Sequence, residues 1–336
     1  MIRRMSFQPN PGPNLTSDLT SNPASTPAPD FEPASAFPEI IWLKQAAAAS
    51  DWAAIRQYHD SLPPGTDRAF LVGVLAEGDG VEHVMRQQLA AVPNDVLALT
   101  VLGTRLIEVG WEIRTAARAK NVSREQFTAF HAHLREAEQL LIRATALDPS
   151  YDAAWAARLN TARGLSLGQN ESRRRYDRLV RYNPHHFTGQ ARLLQKLCPK
   201  WGGSWDEAHG FVRECLLAAP EGSLSGGLVA EAHIEHWLDM KGDDKRVEYL
   251  RQPHVHAELV EAAQLSVLHP QFARPYGWVT VQGAFAALFS LIGDTAQAAA
   301  HFRALGNLAS EYPWSYLGEP AETYVQHRDT ALRGRR

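Results

Sequence analysis

Residues 200–205 carry the side-chain types best suited to ligand binding, and they are Lys200, Trp201, Gly202, Gly203, Ser204 and Trp205. Paired glycines permit positive φ angles or the close approach of a ligand to the backbone. Ser204 and Glu207 have the spacing of a capping box, and free amides at the start of the helix they open would favour an anionic group. The two indoles would add stacking surfaces. A plain inter-helix turn, with both tryptophans wedged between hairpins, is the commoner use of such a segment.

The 14 histidines raise the question of a metal site. His233 and His236 stand one helical turn apart, with Glu231 and Glu235 beside them. Their spacing matches neither the His-Glu-x-x-His of a zinc protease nor the recurring Glu-x-x-His of a di-iron bundle. We therefore predict scattered surface and half-buried histidines, with no metal and no cofactor.

Nucleophile motifs are absent from the sequence as well. It has no Gly-x-Ser-x-Gly elbow, and its 2 cysteines, Cys198 and Cys215, supply neither a disulfide framework nor four zinc ligands. We predict no catalytic residue. An enzyme with a pocket between the N-terminal helices and the rest of the chain remains an alternative. Such an enzyme would have a buried cluster of polar groups with shifted pKa values.

Charge gives little reason to expect a polyanionic partner. The net charge is −3, so nucleic acid and anionic membranes are not expected as partners. One predicted helix carries a cluster of arginines, which we interpret as a solvated helix face, with a phosphate or acidic-peptide site as the alternative. These residues are Arg173, Arg174, Arg175, Arg178 and Arg181.

The ends of the chain and its apolar stretches indicate where in the cell the protein is expected. Residues 1–36 are rich in Pro, Ser, Thr and Asn without periodicity, which predicts a disordered tail with no secretory signal. The longest apolar stretch, 279–292, is too short to span a bilayer. We expect a cytoplasmic protein with a short C-terminal tail at 319–336.

A spacing that occurs three times predicts the helices that must position these residues. Two steps of four and three residues place three small or apolar residues on one helical face, and a proline five residues further on lies beyond the helix. The prolines lie 35 and 36 residues apart, the period of a helical-hairpin repeat. The three sets are Ala137, Leu141, Ala144 and Pro149; Ser172, Tyr176, Leu179 and Pro184; and Ala208, Val212, Cys215 and Pro220.

Alternating strand patterns are essentially absent, so the predicted fold is all-α. We expect an irregular helical part over 37–120 and a helical repeat region over 121–318. The small, bulky, small, proline pattern resembles the tetratricopeptide repeat (TPR), over 123–220 and again over 275–313. The first helices depart from that family, because its Trp-Leu-Gly-Tyr signature is mostly missing. The resemblance implies a TPR-like α-solenoid of helical hairpins.

A second, narrower resemblance covers residues 184–240. Pro199-Lys-Trp-Gly-Gly-Ser-Trp205, with the helix that follows, is similar to the hallmark of a bacterial family of unknown function, in which a Lys/Arg-Trp-Gly-Gly-Ser turn joins two helices. That resemblance implies a fold and no activity.

Together these patterns favour a binding protein. Stacked hairpins produce an extended concave face, so we expect a protein or peptide partner there. The turn at 200–205 and the inner helical faces near Trp155, Arg158, Asn160 and His186 would shape the groove. A self-associating structural subunit is the third alternative, and the sequence fixes no oligomeric state.

Overall fold

The computed structural model describes residues 27–115 and 121–333, and helices dominate this part of the chain. In chain order the α-helices are α1 (Pro33–Ala36), α2 (Glu39–Ala48), α3 (Trp52–Ser61), α4 (Thr66–Ala76), α5 (Val81–Ala91), α6 (Val96–Arg114), α7 (Arg124–Leu147), α8 (Asp152–Gly164), α9 (Gln169–Val180), α10 (Phe187–Leu197), α11 (Trp205–Ala218), α12 (Gly226–Asp239), α13 (Asp243–Leu250), α14 (Pro253–Leu265), α15 (Trp278–Ile292), α16 (Thr295–Leu305) and α17 (Pro320–Arg333).

The all-α prediction is confirmed for these residues. Within 27–115 and 121–333 the only β pairing is an isolated parallel bridge between Asp30 and Leu308. Over the same ranges, no helix combines the length and the apolar character that crossing a bilayer requires.

The spacing that occurs three times in the sequence lies on the buried faces of three helices. Its small and apolar members on α7, α9 and α11 are all buried, and each helix ends before the proline that follows. Ser123 and Gln126 form the predicted capping box at the start of α7, with each side chain bonded to the other residue's backbone amide. Local sequence therefore sets both the ends and the inward face of these helices.

The helices from α6 onward alternate between two rows. Helices α6, α8, α10, α12 and α15 contact one another in succession and form what we call the inner row. Helices α7, α9, α11 and α14 each pack against two consecutive members of that row, and α16 packs against α15; these five helices form what we call the outer row. Small buried residues at the contacts allow this close approach, as where Gly103 of α6 faces the side chain of Leu141 on α7.

Helix α4 crosses the inner row, where it packs against α6, α8 and α10. Its Phe70 ring stacks on Tyr276, with ring centroids 4.2 Å apart and planes 10° from parallel. The ring of Phe37 packs against the same tyrosine at 4.6 Å. At the start of α4, Thr66 Oγ1 accepts a hydrogen bond from the amide of Phe187 at 3.2 Å. The N-terminal helices are thus held against both the middle and the C-terminal part of the chain.

Parts of both predicted tails are ordered in the structure. Residues 27–36, assigned to the N-terminal tail, are held because the Asp30 backbone pairs with Asn307 and Ala309 at 2.7 and 2.8 Å. Residues 320–333, assigned to the C-terminal tail, form α17 because Tyr324 and Arg328 are buried against the preceding helices. The rest of the predicted N-terminal tail, residues 1–26, lies outside the described residues.

The apolar core consists of two clusters. One is built from residues between Ala34 and Ala154, and the other from residues between Trp155 and Ala331. The change from one to the other falls within α8, whereas the sequence placed a division near residue 120. Helices α6 and α7, on either side of that predicted division, pack together along their lengths.

A buried ionic network joins α7, α8 and α9. Glu138 accepts hydrogen bonds from Arg158 at 3.0 Å and from Arg175 at 2.9 and 3.0 Å, and all three side chains are buried. We expected the arginine cluster of α9 to be a solvated face, which is wrong for Arg175. This residue lies one turn after the buried Ser172, so its guanidinium points inward, where burial requires a charged partner.

We predict that Glu138→Ala lowers the free energy of unfolding by about 3–5 kcal/mol, because two buried guanidinium groups lose their counter-ion. The matched control is Glu136→Ala on the same helix, which removes an exposed pair with Arg86 and should cost less than about 1 kcal/mol. Urea denaturation of both variants is the measurement. Equal losses would show that the Glu138 network does not stabilise the fold.

Candidate binding cleft

Two adjoining cavities lie between α4 and the inner row, with volumes of about 480 and 350 Å³. They share Ala69, Gly73, Glu77 and Thr188 on their walls, so we treat them as one inner cleft. Small residues create the space: helix α4 contributes an alanine and a glycine, and α8 contributes three alanines to the opposite wall. The residues that give the inner cleft its chemical character are Glu77, Thr104, Glu108, Arg192, Glu231 and Tyr312.

Arg105 and Arg192 both line the larger cavity, and Arg105 lies within 4.0 Å of Glu82, Glu108 and Glu112. Arg192 is the second positive charge of this cleft. Within the described residues its guanidinium has neither a hydrogen-bond nor an ion-pair partner. Burial lowers the pKa of Arg192, and the charges of Glu108 and Glu231 oppose that effect. A half-buried guanidinium without a partner retains all five N–H donors for an anionic group.

Two carboxyl groups near Arg192 have raised pKa values. Burial, reinforced by the charge of Glu77, raises the pKa of Glu108 to about 7. Burial also raises the pKa of Glu231 to about 7, although Gln195 donates a hydrogen bond to this carboxylate at 3.0 Å. Both groups therefore titrate close to neutral pH, and either can accept a cationic group of a ligand once it is ionised.

Unpaired polar atoms also line the cleft. The hydroxyl groups of Thr104 and Tyr312 are inaccessible to solvent and have no hydrogen-bond partner within 27–115 and 121–333. Such groups are uncommon in folded proteins because each costs free energy when left unsatisfied. Thr104 lines the same cavity as Arg192, whereas Tyr312 lines the adjoining one.

One residue singled out from the sequence lines this cleft, and a second packs behind its wall. Asn160 is on its wall, where its side-chain oxygen accepts hydrogen bonds from Trp111 at 3.2 Å and Arg163 at 3.0 Å. Trp201 lies one layer behind, with its ring edge-on to Trp111 at 5.9 Å and beneath the guanidinium of Arg163 at 5.4 Å. The turn at 200–205 thus supports the wall of the cleft through one tryptophan.

Three other residues singled out from the sequence serve packing and are absent from the cleft lining. Trp155 donates a hydrogen bond to the carbonyl of Pro149 at 2.9 Å, and Arg158 stacks on its ring while binding Glu138. His186 is buried and caps α10, where its Nδ1 accepts from the amide of Gly189 at 3.0 Å. All three are directed into contacts within and between hairpins.

The remaining residues of the 200–205 segment form a structured connection. The Lys200 ammonium pairs with Glu235 at 2.6 Å, so it is already neutralised by a protein group. Gly202 has a φ of +88°, and Gly203 lies against the carbonyl of Leu197 with no room for a β-carbon. Ser204 caps α11 by accepting from the amide of Glu207 at 3.2 Å. These contacts favour the inter-helix turn over an anion site.

Trp205 connects this turn to a cluster of histidines. Its ring stacks on His236 at 4.4 Å, and His236 Nδ1 lies 3.0 Å from Nε2 of His209. Ligand atoms of His209, His233 and Glu258 all lie within 4.8 Å of one another. The expectation of scattered histidines is therefore wrong for this group.

No family model matches the chain, and no curated protein is significantly similar to it.

We predict that Gly203→Ala destabilises the protein by about 2 kcal/mol, because a β-carbon would lie 2.0 Å from the Leu197 carbonyl oxygen and the backbone would have to move. Gly210→Ala on the exposed face of α11 is the control. It meets no neighbouring atom and should raise stability by about 0.5–1 kcal/mol. Thermal unfolding followed by circular dichroism compares the two, and a neutral Gly203→Ala variant would contradict the tight turn.

Proposed function

We propose that this chain is a TPR-like helical solenoid that binds a peptide segment of a partner protein in its inner cleft. The observation that carries the proposal is the unpartnered Arg192 on the wall of that cleft, with Glu108 and Glu231 as the charges that act on it. A cytoplasmic location is part of the same proposal.

The alternation of inner and outer helices supports the solenoid. Three copies of the buried spacing fall on α7, α9 and α11, which all belong to the outer row. Stacked helical hairpins create an extended concave surface, and here the inner row lines the cleft. Helix α4 lies against this surface and narrows the groove.

The charges in the cleft indicate the chemistry of the peptide. An arginine guanidinium binds a carboxylate through two parallel hydrogen bonds, so Arg192 selects an acidic side chain or a C-terminal carboxylate. Ionised Glu77, Glu108 and Glu231 would pair with a basic residue beside it. The two cavities have the volume of a site that encloses a few side chains, which favours a short segment over a large protein surface.

The enzyme alternative has less support from the same residues. Two carboxyl groups with raised pKa values are a feature of many active sites. The side chains that line the cleft nevertheless include no serine, cysteine or histidine in the described part of the chain. Among the described residues of the lining, no hydrogen bond joins a hydroxyl group to a carboxylate as a nucleophile–base pair. The cleft is therefore better suited to recognition than to covalent chemistry.

We predict that Arg192→Met weakens the affinity for peptides that carry an acidic residue beside a basic one by at least about tenfold, because the guanidinium that would bind the acidic group is removed. An array of short synthetic peptides built from Asp, Lys, Leu and Ser supplies the probes, and fluorescence anisotropy gives the affinities. Arg303→Met changes an exposed arginine of α16 and serves as the control, which should bind like the wild-type protein.

Two outcomes would overturn the proposal. One is a wild-type protein that binds none of the mixed-charge peptides. The other is equal binding by the wild-type protein and a folded Arg192→Met variant. Trp201→Ala provides a further comparison: because Trp201 supports the cleft wall through Trp111 and Arg163, this variant should weaken binding while the helical content is retained.

A further inference from the structure

We propose that His209, His233 and Glu258 form a binding site for one divalent transition-metal ion, with Zn²⁺ as the cation best matched to two imidazoles and a carboxylate. This site is separate from the inner cleft and does not depend on the peptide-binding proposal. The three ligands come from three different helices, α11, α12 and α14.

The spacing of the ligand atoms supports the site. Two ligands bound to one tetrahedral Zn²⁺ at about 2.0–2.1 Å lie about 3.3 Å apart. His233 Nε2 and Glu258 Oε2 are 3.1 Å apart, close to that spacing. His209 completes a triangle in which no two ligand atoms are more than 4.8 Å apart. Binding would therefore draw the atoms together by no more than about 1.5 Å.

The orientation of His233 also suits a metal ligand. Its Nδ1 lies 2.7 Å from the hydroxyl of Tyr249, and the side chain is buried. In the metal-free protein Nε2 donates to Glu258 at 3.1 Å. On binding an ion the ring would adopt the other tautomer, in which Nδ1 donates to the Tyr249 hydroxyl and the unprotonated Nε2 faces the metal. A second hydrogen bond that fixes the ring and its tautomer is a regular feature of metal-binding histidines.

Glu258 is available to bind a cation. Among the described residues its carboxylate is hydrogen-bonded only to His233. The nearby Arg213 does not compete for it, because Arg213 pairs with Glu261, one turn further along α14. The Glu258 side chain is 41% exposed, so an ion can enter from solvent.

His209 has a different partner in the absence of a metal. Its Nε2 lies 3.0 Å from His236 Nδ1 and 3.5 Å from the Tyr249 hydroxyl. An ion would replace these contacts at His209 Nε2 and leave His236 stacked on Trp205. Three protein ligands leave one coordination position for water, as in zinc sites that polarise a bound molecule.

Isothermal titration of the full chain with ZnCl₂, after removal of metal with a chelator, tests the site. We expect one Zn²⁺ per chain with a micromolar or lower dissociation constant, and a rise in the thermal unfolding midpoint on addition of Zn²⁺. Glu258→Gln and His209→Ala should each weaken binding at least about tenfold. His83→Ala, which changes an exposed histidine of α5, should bind like the wild-type protein.

Glu258→Gln is the decisive variant, because this side chain is partly exposed and the replacement has the same shape. Circular dichroism establishes that each variant is folded. Binding that is lost in both ligand variants and kept in His83→Ala supports the site. No binding by the wild-type protein would overturn it, and so would binding that survives in the folded Glu258→Gln variant, because other histidines would then hold the ion.

Discussion

The contact on which the arrangement depends is the packing of α4 across the inner row of helices. Phe70 stacks on Tyr276, and Thr66 accepts a hydrogen bond from the start of α10, so an N-terminal helix is held against segments far along the chain. The pairing of Asp30 with residues 307 and 309 adds a second link between the two ends. The inner cleft therefore has two walls, one formed by α4 and the other by the inner row.

The packing of α4 against the inner row buries the charged groups of the cleft and thereby changes their pKa values. On an open concave face, Glu108, Arg192 and Glu231 would be solvated and their interactions would be weak. Between α4 and the inner row, burial raises the pKa of both carboxyl groups to about 7 and leaves Arg192 without a partner. A ligand that supplied a charge complementary to Arg192 would gain a hydrogen-bonded ion pair in a partly buried site, and this gain is the physical basis of the proposed peptide recognition.

The sequence predicted those parts of the fold that depend on local periodicity. Ala137, Leu141 and Ala144 are buried because steps of four and three place them on one face, and this rule needs no knowledge of what covers the face. Local patterns did not predict the ordered structure at 27–36 and 320–333. Its order depends on contacts between the two ends of the described chain, such as the pairing of Asp30 with Asn307 and Ala309 and the hydrogen bond from Arg328 to the carbonyl of Pro27. The stack of Phe70 on Tyr276 joins residues too far apart in sequence for any local pattern to reveal.

The sites were harder to predict, for related reasons. On α8, we expected Trp155, Arg158 and Asn160 to lie near inner faces that shape the groove, but the sequence did not distinguish the side that packs on α7 from the side that lines the cleft. Arg158 lies on the first side and Asn160 on the second. Likewise, the spacing of His233 and His236 matched no metal motif, because the partner ligands come from neighbouring helices, α11 and α14.

Hydrogen–deuterium exchange of α4 tests the central claim most directly. If α4 is packed across the inner row, its amides should exchange as slowly as those of α10, and both should be far slower than those of α13, a short helix with many exposed residues. Rapid exchange throughout α4, with α8 and α10 still protected, would contradict the account. The cleft would then have only one wall.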